Sequence, residues 1–287
     1  MKMSTKIVSL LLLIALVATL AIGCTKEEPV VEETPEVEEA PPEEEAPEVE
    51  DDLNLTTDVV VIGAGGAGLT AALEAKNAGK DVIVVEKMPM VGGNSLRATG
   101  GLNAAGTPQQ EALGIEDSAE IHYQDTMKGG YEKNDPDLVK TLTNDASKAV
   151  EWLIGIGADL SDVGKLAGST NSRAHRPTGG AAVGPHIVKV LKENIEKENI
   201  EVLLNTDATE ILYEDNMVKG ISAKDKEGNV ITIEAKAVII ATGGFSANSE
   251  MVTELNSELA GFGTTNHPGA TGDGIVMATK NGAATTQ

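Results

Sequence analysis

Between residues 63 and 87 the chain carries residue types whose spacing suits one kind of chemistry, the holding of an anionic dinucleotide. Gly63-Ala64-Gly65-Gly66-Ala67-Gly68 reads GxGxxG, and Glu86 stands 18 residues beyond Gly68. In such a loop the backbone does the work. Gly63 makes the turn, Gly65 leaves room for a pyrophosphate to approach, and Gly68 brings helix against strand. Gly66 and Ala67 complete the loop, and the N-terminus of the helix that follows offers N–H groups to anionic oxygens. Glu86 supplies a carboxylate for ribose hydroxyls, with Lys87 beside it.

A lone GxGxxG is common, and context makes it specific. Residues 58–62 (DVVVI) form a continuous apolar run suited to a strand buried on both faces of a parallel sheet. A helix is expected over 69–77, ending at Gly79, and a second buried strand over 81–85. Further along, 137–155 reads as an amphipathic helix with Leu138, Leu142, Val150 and Leu153 inward, and 185–198 as another. Residues 201–205 read as a strand. Alternating residues over 209–238, around Asp215-Asn216 and Glu227-Gly228-Asn229, predict a small antiparallel meander packed on the sheet. Residues 237–241 return as a buried strand that Thr242-Gly243-Gly244 closes beside the dinucleotide. The fold class is therefore α/β: a Rossmann-like domain with a parallel sheet, helices and a small antiparallel meander.

The whole chain has 287 residues, 22 Lys plus Arg against 45 Asp plus Glu, and a formal charge of −23. Fourteen of the acidic residues lie between Thr25 and Asp52, against Lys26 alone. A balance of this sign argues against a nucleic-acid partner, since phosphate binding needs cations that release condensed counterions. The single cysteine excludes an intrachain disulfide, a multi-thiolate metal site and a CxxCH haem attachment. No other residues show metal-ligand spacing, and no Ser/His/Asp or Cys/His set emerges.

That cysteine belongs to an address signal. Lys2 and Lys6 precede an apolar run over 7–22, and Ala21-Ile22-Gly23-Cys24 resembles the bacterial lipobox, so 1–23 reads as a lipoprotein signal peptide and Cys24 as the lipidation site. A diacylated Cys24 would anchor the protein stably. The expected location is the outer face of the cell membrane, or its periplasmic side. Residues 24–55, rich in Glu and Pro, read as a disordered, extended tether, and 56–287 as the folded domain.

Downstream of Glu86 the sequence turns to a Gly-rich irregular stretch, where a nicotinamide-binding domain would continue its alternation of strand and helix. At this point it resembles the flavoprotein subunits of the fumarate reductase and succinate dehydrogenase superfamily, in particular the soluble flavocytochrome c type and the urocanate reductases. The blocks that carry the resemblance are GAGGAG (63 to 68), VVEK (84 to 87), GGNS (92 to 95), TGGLNAAG (99 to 106), DTMKGG (125 to 130), NDPDLVK (134 to 140), HRPTGG (175 to 180), ATGGF (241 to 245) and TNHPGATGDG (265 to 274). The resemblance implies FAD as cofactor, with contacts from Ala67, Glu86, Asn94, Ser95, Gly100, Gly101, Ala208 and Asp273, and substrate contact at Gly101. Membrane-bound relatives attach FAD through a histidine where Asn94 stands, so non-covalent binding is implied. So is hydride transfer from flavin N5 to the C=C bond of an unsaturated carboxylate, of fumarate or urocanate type. The implied partners are that dicarboxylate-like substrate and an external electron donor, a cytochrome or FMN protein. The proton donor, the capping domain and the second flavin-binding segment are expected beyond Gln287, so the catalytic residues are unknown and the chain is expected to be an N-terminal part.

Among the four histidines, His122 and His186 read as structural, and His267 as shaping its loop. His175-Arg176 is the exception: a cation pair in a Gly-rich loop could favour an anionic flavin or a carboxylate. Three other readings stay open: another flavin dehydrogenase of the superfamily, a non-catalytic flavin-binding lipoprotein, and an NAD dehydrogenase, which GGNS and ATGGF disfavour.

Overall fold

The computed structural model describes residues 53–285; the signal segment, Cys24 and the acidic segment up to Asp52 lie outside them. In chain order come β1 (Leu53–Ile62), α1 (Gly66–Asn77), β2 (Val82–Glu86), a 3-10 turn (Gly93–Arg97), β3 (Leu102–Asn103), α2 (Pro108–Ala112), α3 (Ala119–Gly129) and α4 (Pro136–Gly155). They are followed by β4 (Asp162–Gly164), β5 (Ala174–Arg176), α5 (Val183–Lys197), β6 (Glu201–Leu204), β7 (Asp207–Glu214), β8 (Met217–Lys224) and β9 (Val230–Ile240). A short helix α6 (Ser249–Leu255), a second 3-10 turn (Ser257–Leu259) and α7 (Asp273–Lys280) complete the set.

Six strands form one mixed sheet in the order β6-β2-β1-β9-β8-β7. The first four run parallel, and β9, β8 and β7 are antiparallel neighbours. The apolar runs of β1 and β2 are buried on both faces because two clusters need them. Val61 and Val84 meet Leu69 and Leu73 of α1, Val150 and Leu153 of α4, and Leu191 and Ile195 of α5. Val60, Ile62, Ile83 and Val85 meet Ile211, Ile221 and Ile233 of the meander and Met277 of α7. Each such side chain contributes about 1.5–3 kcal/mol on burial.

The meander packs on the sheet as expected, Ile211, Ile221 and Ile233 against Val60, Ile62 and Val85, and it is also continuous with it through β9, whose first half pairs with both β8 and β1. Two expectations are corrected here. The same pairing extends β1 back to Leu53, which faces Ile231, so residues 53–55 belong to the sheet and not to the tether. The second half of β9 is only partly covered, with Ala237 exposed and Ile240 42% exposed. Beyond Glu234 it pairs with β1 alone among the described residues.

In α4 the buried stripe is Val139, Thr143, Ala146, Val150 and Leu153. Leu138 and Leu142 are exposed, one residue out of phase. The sequence holds two apolar stripes about 100° apart, and the one with the small Ala146 and Thr143 is the one that packs. The helix starts where expected, with Asp135 as N-cap accepting from the N–H groups of Asp137 and Leu138, and Pro136 at its first position.

A second sheet of three short strands, in the order β3-β5-β4, carries the segment that follows Gly100-Gly101. Its register pairs Leu102 with His175 and Asp162 with Arg176.

Candidate functional site: a nucleotide groove along the strand ends

The turn after β1 explains its own glycines. Gly63 sits at φ +103°, and a Cβ there would lie 2.5 Å from the carbonyl oxygen of Ala241. At Gly68 a Cβ would lie 1.8 Å from the Gly63 oxygen, so α1 can rest on the turn only if this residue has no side chain. Gly65 differs: its φ is −77°, and the nearest atom to an added Cβ is 3.9 Å away. Open space on that side is what the approach of a ligand requires. The first turn of α1 holds no acidic residue, so its N–H groups, which have no intrahelical partners, present a positive end to the groove.

The groove has a volume of about 190 Å³ and is lined by Gly63, Gly65, Gly66, Ala67, Glu86, Asn94 and Ser95, with Thr242, His267 and Gly269 opposite. A smaller cavity of about 40 Å³ continues it, sharing Gly63, Glu86, Thr242 and Gly269 and adding Lys87, Ala208 and Asp273. Ten of the sequence-predicted residues thus line one continuous path. Gly68 is buried beneath it as a packing residue. Gly101 lies outside it, lining an apolar pocket of about 380 Å³ together with Gly66, Ala67, Ser95 and Trp152. Gly100 lines neither space and stands next to Gly101 before β3.

Several side chains do more than the sequence reading gave them. Glu86, only 9% exposed, accepts from Ala64 N–H (2.8 Å) through Oε2 and from Met88 N–H (2.9 Å) through Oε1. It braces the loop while its remaining lone pairs face the groove. Ser95 Oγ accepts from Gly66 N–H at 3.0 Å, so that N–H braces the loop as well. Asn94 Oδ1 accepts from His267 N–H at 2.7 Å, and His267 Nδ1 accepts from Gly269 N–H at 3.1 Å, tying the two walls together. Lys87 pairs with Asp273 and with the Thr271 hydroxyl. Burial opposes ionisation of Asp273, yet the hydrogen bonds from Lys87 and Thr271 hold its carboxyl below the ordinary range. Thr242 stands beside the groove as its place after the last strand implies, whereas Gly269 was not singled out from sequence; the signal available was its place in the TNHPGATGDG block.

The cation-pair reading of His175-Arg176 is overturned at the histidine. His175 is fully buried on a strand, not in a loop, and burial lowers its pKa, so it is neutral near pH 7. Arg176 follows it on β5 with its Nε buried and without a partner. His122 is buried in α3, with burial and then Arg173 lowering its basicity. His186 Nε2 accepts from Asp159 N–H at 2.8 Å. What the sequence reading missed is a buried ion pair. Arg173 Nε and Nη2 reach Asp117 at 2.8 and 3.0 Å, and Nη2 reaches Asp125 at 2.9 Å.

Comparison with known proteins gives a consistent picture. The family described as FAD binding domain matches residues 58–287. The chain is 50% identical over 230 residues to the fumarate reductase (cytochrome) of Shewanella frigidimarina, covering 80% of this chain and 40% of that protein. It is 38% identical over 238 residues to the urocanate reductase of Eggerthella lenta, covering 81% of this chain and 39% of that one. The open conformation of a flavocytochrome c3 fumarate reductase superposes with a TM-score of 0.78 at 40% identity, covering 80% and 41% of the two chains. The chain therefore spans about 40% of the length of these curated relatives.

Proposed function

The chain belongs to the FAD binding domain family, within the fumarate reductase and succinate dehydrogenase flavoprotein superfamily, and from that premise we propose that it is the cofactor-holding part of a reductase of unsaturated carboxylates, of fumarate or urocanate type. The observation that carries the proposal is the 50% identity to a fumarate reductase over 230 residues, 80% of this chain. The residues present fit FAD. The open side of Gly65 and the helix start admit a pyrophosphate, Glu86 keeps acceptor capacity for a ribose, and Ala208 and Asp273 line the narrow end of the path.

When bound, FAD supplies hydride from N5 to an activated C=C bond. The chain's own residues orient and hold. The turn at Gly63–Gly68 receives the phosphates, Glu86 receives the ribose, and Asn94, Ser95, Gly100 and Gly101 form the flavin side, with Gly101 also at the substrate. Asn94 has an amide where covalent relatives have a histidine, and its Oδ1 is engaged with His267 N–H, so FAD is held non-covalently. The features around Cys24 add the proposals of export and of a lipid anchor at the outer face of the membrane, with electrons arriving from a cytochrome or FMN protein.

The test uses the protein at the natural length of its gene product. It should be yellow, release free FAD on acid denaturation, and oxidise a reduced viologen with fumarate or urocanate. Turnover of a ketosteroid or of aspartate instead would move it to another dehydrogenase of the superfamily. Bound FAD with no turnover of any of these would leave a flavin-binding lipoprotein.

A further inference from the structure

We infer that His175 and Thr107 are positioning residues for the flavin side of the site: a buried chain of hydrogen bonds fixes the backbone of Gly100-Gly101 through the carbonyl of Leu102. The inference rests on the reading that the groove holds FAD with Gly100-Gly101 at its ring.

For the neutral ring that burial enforces on His175, the sequence of donors and acceptors has only one consistent assignment. His175 Nδ1 faces two carbonyl oxygens, of Arg173 at 2.9 Å and of Leu102 at 3.3 Å. Neither can donate, so Nδ1 carries the proton. Nε2 must then accept, and its partner at 2.9 Å is the Thr107 hydroxyl, which becomes the donor. Thr107 Oγ1 in turn accepts from Gln110 N–H at 3.2 Å, and Gln110 Oε1 accepts from Thr107 N–H at 3.2 Å, closing a capping box on α2. Gln110 Nε2 donates to Asp117 at 3.0 Å and to the Ser172 carbonyl at 2.7 Å, and Asp117 holds Arg173. Thr107, Gln110, Arg173 and His175 are each at most 2% exposed.

A scaffold of this kind answers a mechanical need. Strand β3 is two residues long and β5 three, too short for ladder bonds alone to set the segment before them. Gly101 is pressed onto β5: a Cβ on it would lie 2.8 Å from Ala174 Cβ and 3.0 Å from His175 O. Any shift of β5 therefore moves Gly101 directly. The side-chain polar atoms of His175, Thr107 and Gln110 all have partners, and a buried network satisfied in this way has one low-energy arrangement, which it transmits to the backbone it grips.

The test is FAD titration of the full chain by flavin fluorescence, with the midpoint potential of the bound flavin, in Thr107→Val and Thr107→Ser. Valine keeps the shape and removes the donor, leaving a buried Nε2 unsatisfied. FAD affinity should fall about tenfold and the potential should shift, while serine restores both. A Thr107→Val protein that melts earlier yet binds FAD with unchanged affinity and potential overturns the inference and leaves a merely structural network. Absence of FAD binding in the unsubstituted chain is the separate failure of the functional reading, and removes this inference with it. Should the valine variant not fold, Thr107→Cys, a weaker donor of similar size, carries the same comparison, and its FAD affinity should fall below that of the serine variant by less than about tenfold, whereas an affinity and potential equal to those of the unsubstituted chain overturn the inference.

Discussion

The two halves of the site are built from different materials. The turn at Gly63–Gly68 is shaped by backbone and by the absence of side chains: one glycine at φ +103°, one pressed to 1.8 Å of a carbonyl, one open. The layer beneath Gly100-Gly101 is shaped by side chains that reach far along the sequence, Arg173 to Asp117 across 56 positions, Gln110 to the Ser172 carbonyl across 62 and His175 to Thr107 across 68. The first admits no side chain at Gly63 or Gly68, where a Cβ would meet the carbonyls of Ala241 and Gly63, but leaves Gly65 open. The second is distributed and depends on every partner being present. The lesson is that close packing of backbone and satisfaction of buried polar groups are two routes to the same rigidity, with different points of failure.

The comparison is most severely tested at Arg173. Arg173→Met removes the cation and leaves Asp117, whose side chain is fully buried, with hydrogen bonds from Gln110, Asn171 and Ser118 but without its cationic partner. Breaking such a pair costs about 3–5 kcal/mol, so the midpoint of urea denaturation should drop accordingly. A loss below about 1 kcal/mol would show that the layer is not held by its charges.

Gly68→Ala tests the other half. The added methyl cannot coexist with the Gly63 carbonyl at 1.8 Å, so the turn or the start of α1 must shift, at a cost of about 1–3 kcal/mol as for an overpacked core. Denaturation monitored by circular dichroism should show the loss. An unchanged midpoint would mean that α1 does not rest on the turn.

A smaller effect sharpens the contrast in pH dependence. His122 and His175 both lie on the side-chain-built half, and burial sets the pKa of each below the ordinary 6.5. The unfolded chain therefore takes up protons first as pH falls. Stability is full above about pH 6.5 and is lost as pH drops through the depressed folded values. Calorimetric melting temperatures should decline from about pH 6.5 towards pH 5, and His122→Gln should flatten the decline. A rise in melting temperature over that window would reverse the assignment of both rings as buried and neutral.

Legibility in the sequence followed the same division. GxGxxG, its strand and helix, and Glu86 were readable because each depends on neighbours close along the chain. Ten of the predicted residues do line one path. The bracing of Ala64 and Met88 by Glu86 was not readable, since a carboxylate at that position gives no sign of which N–H groups surround it. Thr107 announced its capping box through Gln110 three residues on, but not its bond to His175, 68 residues away. His175 itself was misread as a cation because burial on a strand cannot be told from residue type. Leu138 and Leu142 were placed inward because two apolar stripes share α4, and only the tertiary packing selects between them. The packing of the meander on the sheet was readable, but not its continuity with it, because a single strand, β9, serves both as its last member and as the parallel neighbour of β1.

The central claim, that the open side of Gly65 is where FAD lies, is tested most directly by isothermal titration of FAD into the unsubstituted chain and into Gly65→Val. Position 65 has an ordinary φ and no atom nearer than 3.9 Å to an added Cβ, so the variant should still fold, with a loss of about 1 kcal/mol for the poorer N-cap. The account predicts saturable binding of FAD to the unsubstituted chain, not displaced by NAD, and loss of that binding in the folded variant. Equal binding by both proteins, or binding by neither, would contradict it.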